Sequence, residues 1–122
     1  MSQQRHAVLI TGGRDYDNEV AADDLVRSLP EGTLIVHGHA TGADTLVDIA
    51  AGRHGYPTAG VPYFHWLGKA GGHVRNRMMV DLVCALRNDG WLVKVAAFPG
   101  GRGTANCVKQ AEAANLPVQH VG

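Results

Sequence analysis

The sequence predicts a single Rossmann-like α/β domain, in which an open, mainly parallel sheet of about five strands carries helices on both faces. Two observations support this fold class. Short, continuous apolar runs alternate along the chain with longer segments whose apolar residues recur at helical spacing. Glycine-rich turns separate these segments, and sixteen glycines are too many for a helical bundle. Because no repeat, linker or low-complexity tract interrupts the chain, residues 1–122 are expected to form one domain.

The predicted strands are five short apolar runs. The first is apolar almost throughout, which is typical of a parallel strand buried on both faces. The last begins beside Pro117 and is predicted at a sheet edge, where proline is best tolerated. In chain order, the strands are expected over 7–11, 33–37, 58–63, 92–98 and 116–121.

The predicted helices carry apolar residues three or four positions apart, so that one face of each helix packs against the sheet. The clearest stripe runs from Val74 to Leu86. Turn signals such as Pro30, Gly55 and Gly90 end the helices. The four helices are expected over 18–29, from 43 to the turn at 55–57, 73–88 and 104–114.

Charge and cysteine content limit the classes of function. Eleven basic and eleven acidic residues give a formal net charge of zero, which argues against generic binding to a nucleic-acid backbone. Cys84 and Cys107 fall in predicted helices and are expected to be free thiols in a reducing compartment. No apolar run is long enough for a signal-peptide core or a membrane span. The protein is therefore expected to be cytoplasmic, with no membrane partner.

Glycines and hydrogen-bonding side chains concentrate in the four loops that follow predicted strands. In an open parallel sheet these loops share the carboxyl edge, where ligands bind. The helix-to-strand turns contain only ordinary stop signals. This asymmetry indicates a ligand site at the carboxyl edge, built from loops 12–15, 38–44, 68–76 and 99–104.

The segment from Pro99 to Thr104 is the centre of this predicted site. It joins an apolar run to an Ala-rich helix, an arrangement that points backbone N–H groups at an anion such as phosphate. Glycines let the backbone approach a phosphate closely. Thr104 is predicted to cap the helix while offering its hydroxyl to the ligand. The ligand-binding positions here are Pro99, Gly100, Gly101, Gly103 and Thr104.

The other loops supply charged, aromatic and small residues. Asp15 and Asp44 either accept hydrogen bonds from ribose hydroxyls or only cap helices, and Trp66 offers a ring that can stack on a base. Three cations at or beside helix starts suit a phosphate or a carboxylate: Arg14, Lys69 and Arg75. The remaining candidate positions are Gly12, Gly13, Gly38, Gly42, Ala43, Gly71 and Asn76.

Two common nucleotide-binding motifs are absent from the sequence. The first loop lacks Gly-x-Gly-x-x-Gly, and no acidic residue follows the second strand where a ribose-binding carboxylate is expected. No Gly-Lys-Ser/Thr closes a glycine loop, as a P-loop ATPase requires. Neither a dehydrogenase nor an ATPase is therefore predicted, and no cofactor and no metal ion is assigned.

Five sequence blocks cover nearly the whole chain: Gly12-Gly13-Arg14-Asp15-Tyr16-x-Asn18, Gly38-x-Ala40-x-Gly42-Ala43-Asp44, Trp66-x-Gly68-Lys69-Ala70-Gly71, Arg75-Asn76-x-x-Met79 and Pro99-Gly100-Gly101-x-Gly103-Thr104. In these blocks and their order the chain resembles the SLOG superfamily, and within it the YspA-type branch related to the cpYpsA proteins. The resemblance implies a Rossmann-like fold that binds a nucleotide or a nucleotide-derived metabolite, of the NAD or ADP-ribose type for this branch. It also implies a homo-oligomer, most simply a dimer.

The LOG phosphoribohydrolases, a catalytic branch of the same superfamily, provide a second comparison. They hydrolyse the N-glycosidic bond of a nucleoside monophosphate and carry Pro-Gly-Gly-x-Gly-Thr-x-x-Glu with an upstream Arg-x-x-x-Met. Here Arg75 and Met79 match the upstream element, whereas Cys107 occupies the position of the glutamate. Glycosidic cleavage needs a carboxylate, which a thiol does not replace well. The departure favours the binding site over the LOG reaction.

Three hypotheses of function follow. The first is a module that binds a nucleotide or a nucleotide-derived ligand as a sensor or sequestering protein. The second is an N-glycosidase whose catalytic residues are Arg75 with Asp44 or Asp15. The third is a metal-dependent hydrolase, in which His37 and His39 join Asp44 and His65. Nucleic acid, which the DprA branch of the superfamily binds as a single strand, is not the expected partner because the chain has no basic stripe.

Overall fold

The computed structural model describes residues 4–122, which fold into alternating strands and helices. The strands are β1 (His6–Thr11), β2 (Leu34–His37), β3 (Thr58–Gly60), β4 (Leu92–Ala97) and β5 (Val118–His120). The helices are α1 (Glu19–Ser28), α2 (Ala43–His54), α3 (Gly71–Asn88) and α4 (Arg102–Ala113), with a 3₁₀ helix (His65–Ala70) directly before α3.

The five strands form one sheet in the order β3-β2-β1-β4-β5, with every neighbouring pair parallel. The predicted Rossmann-like α/β fold is confirmed. The apolar strand β1 lies at the centre and pairs with β2 on one side and β4 on the other. Strand order reverses between β1 and β4, and the helices that follow these two strands pack on opposite faces of the sheet. Open α/β sheets bind ligands at the carboxyl ends of the strands at such a point.

Each face of the sheet is covered by two helices. On one face, Val8 and Ile10 of β1 pack against buried residues of α1 and α2. On the other face, Leu9 and Val95 pack against α3 and α4. The alternation along β1 arises because successive side chains of a strand point to opposite faces. Both apolar layers therefore depend on the same central strand.

The boundaries of several elements differ from the sequence prediction. Strand β3 ends at Gly60 rather than at 63, because it pairs only with the short β2 and the chain then turns into the 3₁₀ helix. Helix α4 begins at Arg102, with Gly101 as its N-cap. The prediction that Thr104 caps this helix is wrong, since Thr104 lies inside the first turn.

Helix α3 is the longest helix, at 18 residues, and charged residues interrupt its apolar stripe. Across residues 4–122, none of the helices combines the length and the apolar character needed to cross a membrane.

Candidate functional site

The loop after β1 is hydrogen-bonded to the loops after β2 and β4 at the carboxyl edge. The backbone N–H of Gly13 donates to the carbonyl of Pro99 at 2.8 Å, and the carbonyl of Gly13 accepts from Ala43 N–H at 3.2 Å. These bonds join the loops after β1, β2 and β4 without a ligand. They also occupy the N–H groups of Gly13 and Ala43, which leaves neither available to donate to a phosphate.

Close packing between these loops explains four of the candidate glycines. A Cβ on Gly12 would lie 2.5 Å from Ala43 Cβ, and one on Gly13 would lie 2.9 Å from the Pro99 carbonyl oxygen. At Gly42 a Cβ would meet the Gly13 carbonyl oxygen at 2.2 Å, and φ is +77°. At Gly100 it would meet Thr104 Oγ1 at 2.2 Å. Because real Cβ contacts are longer, these glycines are required by the fold of the loops.

Gly101 and Gly103 are not required by close packing. A Cβ built on either residue has no heavy atom within 4 Å. Both residues line an open cavity of about 390 Å³ between the loops, a size that suits a small-molecule site. Their lack of side chains keeps the start of α4 accessible from that cavity.

The first turn of α4 presents unsatisfied donors beside this cavity. Within the described chain, the backbone N–H groups of Arg102, Gly103 and Thr104 have no hydrogen-bond acceptor, and no side chain caps the helix. Free N–H groups and the helix dipole together favour an anion at a helix N-terminus. The first turn of α4 is therefore the part of the candidate site whose free donors suit an anion.

Arg75 enters the cavity from α3. Its Nη1 donates to the carbonyl of Gly38 at 3.1 Å, and its guanidinium carbon lies 5.8 Å from the centre of the Tyr63 ring. Its Nε is buried, and the described residues offer it no hydrogen-bond partner. The guanidinium as a whole nevertheless lines the cavity, and its positive charge favours an anion there.

Asp44 lies in the first turn of α2 and is 5% exposed. One carboxylate oxygen, Oδ2, accepts from the backbone N–H groups of Gly38 (3.0 Å) and Ala40 (3.3 Å), so the side chain fixes the loop after β2. Burial raises the pKa of Asp44 above its ordinary value, although these hydrogen bonds and nearby Arg75 act in the opposite direction. Asp44 also lines the cavity, where its other oxygen has no hydrogen bond within residues 4–122.

We expect an Asp44→Asn substitution to remove a pH dependence of stability. Since the folded-state pKa of Asp44 lies above its unfolded value, its contribution is complete below about pH 4 and is lost as pH rises through the folded-state pKa. One such carboxyl changes the free energy of unfolding by at most about 1.4 kcal/mol per pH unit. An asparagine oxygen can accept the same two hydrogen bonds but does not titrate.

Urea denaturation of both proteins between pH 3 and pH 7 measures this difference, with the exposed Asp24→Asn as the matched control. Parallel stability profiles for the wild-type protein and the Asp44→Asn variant would contradict the assignment.

The structure brings together ten of the sequence-predicted residues around the cavity: Gly12, Gly13, Arg14, Asp15, Asp44, Arg75, Asn76, Gly101, Gly103 and Thr104. Asn76 is almost fully buried and also links α3 to α4, because its amide nitrogen donates to the Gly103 carbonyl (3.2 Å) and to Asn106 (3.0 Å). The others on the sequence-based list lie outside the cavity lining: Gly38, Gly42, Ala43, Trp66, Lys69, Gly71, Pro99 and Gly100.

Trp66 and Lys69 lie on the 3₁₀ helix rather than in the cavity. The Trp66 side chain is 79% exposed and lies 5.2 Å from the ring of Phe64, centre to centre. Trp66 is predicted to stack on a base and Lys69 to bind a phosphate, but neither residue lines the cavity. Gly71 is buried against Tyr63 and Phe64, where its role is packing.

Sequence reasoning did not assign several residues that line the cavity. These residues include Thr11 and Tyr63. Thr11 is a polar residue at the end of β1, and that position is a sequence signal for a site at the carboxyl edge. Tyr63 precedes the 3₁₀ helix and has no comparable signal. Arg102 lies within the glycine segment itself, where its positive charge is a sequence signal for an anion site. The cavity therefore contains three arginines with two aspartates: Arg14, Arg75 and Arg102 with Asp15 and Asp44.

Cys107 has no access to the cavity. Its thiol is fully buried among Leu9, Val36 and Met79, and burial raises its pKa to about 11. Both Cys107 and Cys84 are free thiols, as predicted. A buried, protonated thiol cannot replace a catalytic carboxylate.

The histidines do not form the metal site considered from the sequence. His37 is 1% exposed, its Nε2 lies 2.8 Å from Asp48 Oδ1, and its Nδ1 accepts from His39 N–H at 3.1 Å. Both ring nitrogens are therefore occupied within the protein. Over residues 4–122, His, Cys, Asp and Glu side chains nowhere gather in a group of three that could hold a metal ion. The proposed combination with Asp44 and His65 is wrong.

The fold and the carboxyl-edge cavity define a Rossmann-like domain with a candidate anion site. Over an alignment of 131 residues the chain is 36% identical to the Gene 61 protein of Mycobacterium phage D29, covering 94% of this chain and 95% of that protein. The chain belongs to the Gene 61 protein family. No family model matches the sequence.

Two solved structures share the fold. TM1055 superposes with a TM-score of 0.66 at 19% identity, over 93% of this chain and 72% of that one. DNA processing protein A (DprA) from Streptococcus pneumoniae superposes with a TM-score of 0.59 at 18% identity, over 93% of this chain. This chain spans 58% of DprA. Both likenesses show the Rossmann-like fold and nothing finer.

Proposed function

We propose that this protein binds a nucleotide or a nucleotide-derived ligand, with a phosphate group placed at the first turn of α4. The observation that carries the proposal is the convergence of unsatisfied donors on one cavity. The N–H groups of residues 102–104 and the buried Nε of Arg75 have no acceptor within the described chain, yet all belong to residues that line the same space. A phosphate can accept from the free N–H groups of this turn, and its negative charge is complementary to the guanidinium of Arg75 in the cavity lining.

The rest of the cavity suits the remainder of a nucleotide. Asp15 and the unbonded oxygen of Asp44 are acceptors for ribose hydroxyls, and Tyr63 and Met79 offer apolar surface to a base. Resemblance to the YspA-type branch favours a ligand of the NAD or ADP-ribose type. In this role the protein acts as a sensor or a sequestering protein, and the zero net charge favours a small molecule over DNA as the partner.

Isothermal titration calorimetry with AMP, ADP-ribose and NAD tests the proposal. Saturable binding by at least one ligand, accompanied by changes in the amide signals of residues 101–104 in NMR spectra, is the expected result. The absence of binding by all three at millimolar concentration would refute the proposal.

Replacing Arg75 with methionine should weaken phosphate-ligand binding by about 10- to 100-fold, since a charge-assisted hydrogen bond contributes about 1.5–3 kcal/mol. Arg77→Met is the matched control, because Arg77 lies on the same helix but is exposed and pairs only with Asp81. Calorimetry on both variants provides the measurement. An equal loss in the two variants would show that general charge, rather than the position of Arg75, determines affinity.

A second candidate function is N-glycosidic hydrolysis of a nucleotide, as in the LOG enzymes. The observation in its favour is Asp44, a buried carboxyl whose raised pKa suits a general acid, beside Arg75. Mass spectrometry of the protein incubated with AMP or NAD distinguishes the candidates. Release of free base that is lost in Asp44→Asn supports catalysis, whereas an unchanged, bound nucleotide supports a binding module.

We also infer that the protein forms a homodimer. Support comes from the apolar side chains exposed on the 3₁₀ helix and the start of α3, since large exposed apolar patches often mark association surfaces. These side chains are Trp66, Leu67, Val74 and Met78.

A further inference from the structure

A second cavity lies on the opposite side of the α4 N-terminus from the first. It is a groove of about 510 Å³ between α4 and the end of β5. Phe98 lines it from the end of β4, and Ala105, Val108 and Val121 form apolar walls. Nothing in the nucleotide site described above uses this groove.

The two cavities meet at the first turn of α4. Gly101 and Thr104 line both of them, whereas the other lining residues belong to one cavity or the other. A Cβ on Gly101 would have no heavy atom within 4 Å, so no neighbouring side chain crowds this shared position. A phosphate at the N–H groups of residues 102–104 would therefore lie at the junction, with open space on either side.

The lining of the groove suits the end of a ligand that carries both a ring and hydroxyl groups. Its walls are aliphatic, which favours contact with the face of a planar ring. The polar residues Lys109, Glu112 and His120 also line the groove and are exposed, offering hydrogen-bond donors and an acceptor. The arginine-lined cavity on the other side of Gly101 has a different character, so the two ends of a bound ligand would meet different surroundings.

We propose that this groove binds the second half of a pyrophosphate-bridged dinucleotide, while one nucleoside occupies the first cavity and the phosphates lie at the start of α4. The inference rests on the proposed nucleotide-binding function and adds the groove as a second subsite of the same ligand. The two cavities are adjacent, since both are lined by Gly101 and Thr104, and this adjacency favours a ligand with two ends over a mononucleotide.

The test compares AMP and NAD as calorimetric probes on the wild-type protein and on Ala105→Phe. Ala105 is exposed and lines only the groove, so a phenylalanine there should fill the groove without disturbing the core. Ala113→Phe is the matched control, since Ala113 is an exposed residue of the same helix that lines neither cavity. Thermal unfolding of each variant verifies that it is folded.

We expect the wild-type protein to bind NAD at least tenfold more tightly than AMP. Ala105→Phe should bring NAD affinity down to that of AMP and leave AMP affinity unchanged, with no effect of Ala113→Phe. Equal affinities for AMP and NAD, or a tenfold preference that survives in Ala105→Phe, would overturn the inference while the proposed function stands. Equal losses for both ligands in Ala105→Phe would also overturn it, because the groove would then hold part of a mononucleotide. Binding of neither ligand by the wild-type protein would refute the proposed function itself.

If Ala105→Phe fails to fold, Lys109→Glu provides the second variant. Lys109 is exposed on the groove side of α4, and the nicotinamide ring of NAD carries a positive charge, so a reversed charge at Lys109 should strengthen NAD binding while leaving AMP binding unchanged. An unchanged ratio of the two affinities in Lys109→Glu would count against the groove in the same way.

Discussion

Substitution of Gly101 with aspartate is expected to abolish binding of AMP and NAD while making the protein slightly more stable. Gly101 is the N-cap of α4, and its φ of −97° is accessible to any residue. An aspartate there can accept hydrogen bonds from the free N–H groups of the first turn and place its own negative charge where we propose the phosphate binds. The ligand would lose at least two charge-assisted hydrogen bonds, a loss of about 100-fold or more in affinity.

The gain in stability distinguishes this prediction from a simple folding defect. Replacing an N-cap glycine with aspartate contributes a few tenths of a kcal/mol through capping, and the interaction with the helix dipole adds about 0.3–1 kcal/mol. Urea denaturation and calorimetry on the same preparation measure the two effects. The neutral Gly101→Asn variant separates occupation of the donors from charge repulsion. Wild-type affinity in Gly101→Asp would place the phosphate elsewhere.

The second large effect concerns a pair of glycines in and beside α2. Gly42→Ala should destabilise the protein by about 3 kcal/mol or more, since strain at positive φ and overpacking each cost about 1–3 kcal/mol. Gly42 has φ +77°, and a Cβ there would lie 2.2 Å from the Gly13 carbonyl oxygen and 2.5 Å from that of Arg14. A change of this size lowers the melting temperature by roughly 10 °C.

Gly52→Ala is the matched control, with the same atoms added ten positions along the chain. Gly52 is exposed inside α2, and a Cβ there meets no heavy atom within 4 Å. Alanine is a better helix former than glycine, so this variant should gain about 0.5–1 kcal/mol. The same substitution, glycine to alanine, is therefore expected to lower the free energy of unfolding at Gly42 and to raise it at Gly52. A Gly42→Ala variant as stable as the wild-type protein would mean that the three loops are not packed as described.

Much of the fold follows from local pattern. The apolar run of β1 predicts a central parallel strand because only a strand covered on both faces needs no polar alternation. The stripe from Val74 to Leu86 predicts α3 because its period is helical. Local pattern does not determine the first residue of α4, because Gly101 and Thr104 are both acceptable N-cap residues. Only the path of the loop decides between them.

The candidate site was less predictable than the fold. Its location at the carboxyl edge follows from topology, but the roles of individual residues depend on contacts between loops far apart in sequence. No local signal distinguishes Gly100, where an added Cβ would clash with Thr104 and Gly13, from Gly101, where an added Cβ would meet no heavy atom within 4 Å. Trp66 illustrates the same difficulty, because composition does not predict that this residue lies on a 3₁₀ helix outside the cavity lining.

The division of the glycines also predicts how members of this family can diverge. Mutation of Gly12, Gly13 or Gly42 damages the protein whether or not it still has a ligand, so purifying selection for a folded chain is enough to retain them. Gly101 has no such protection, because its surroundings tolerate a larger residue. A lineage that stops using the ligand should therefore accumulate substitutions at 101 first, and the residue at that one position would separate active homologues from vestigial ones.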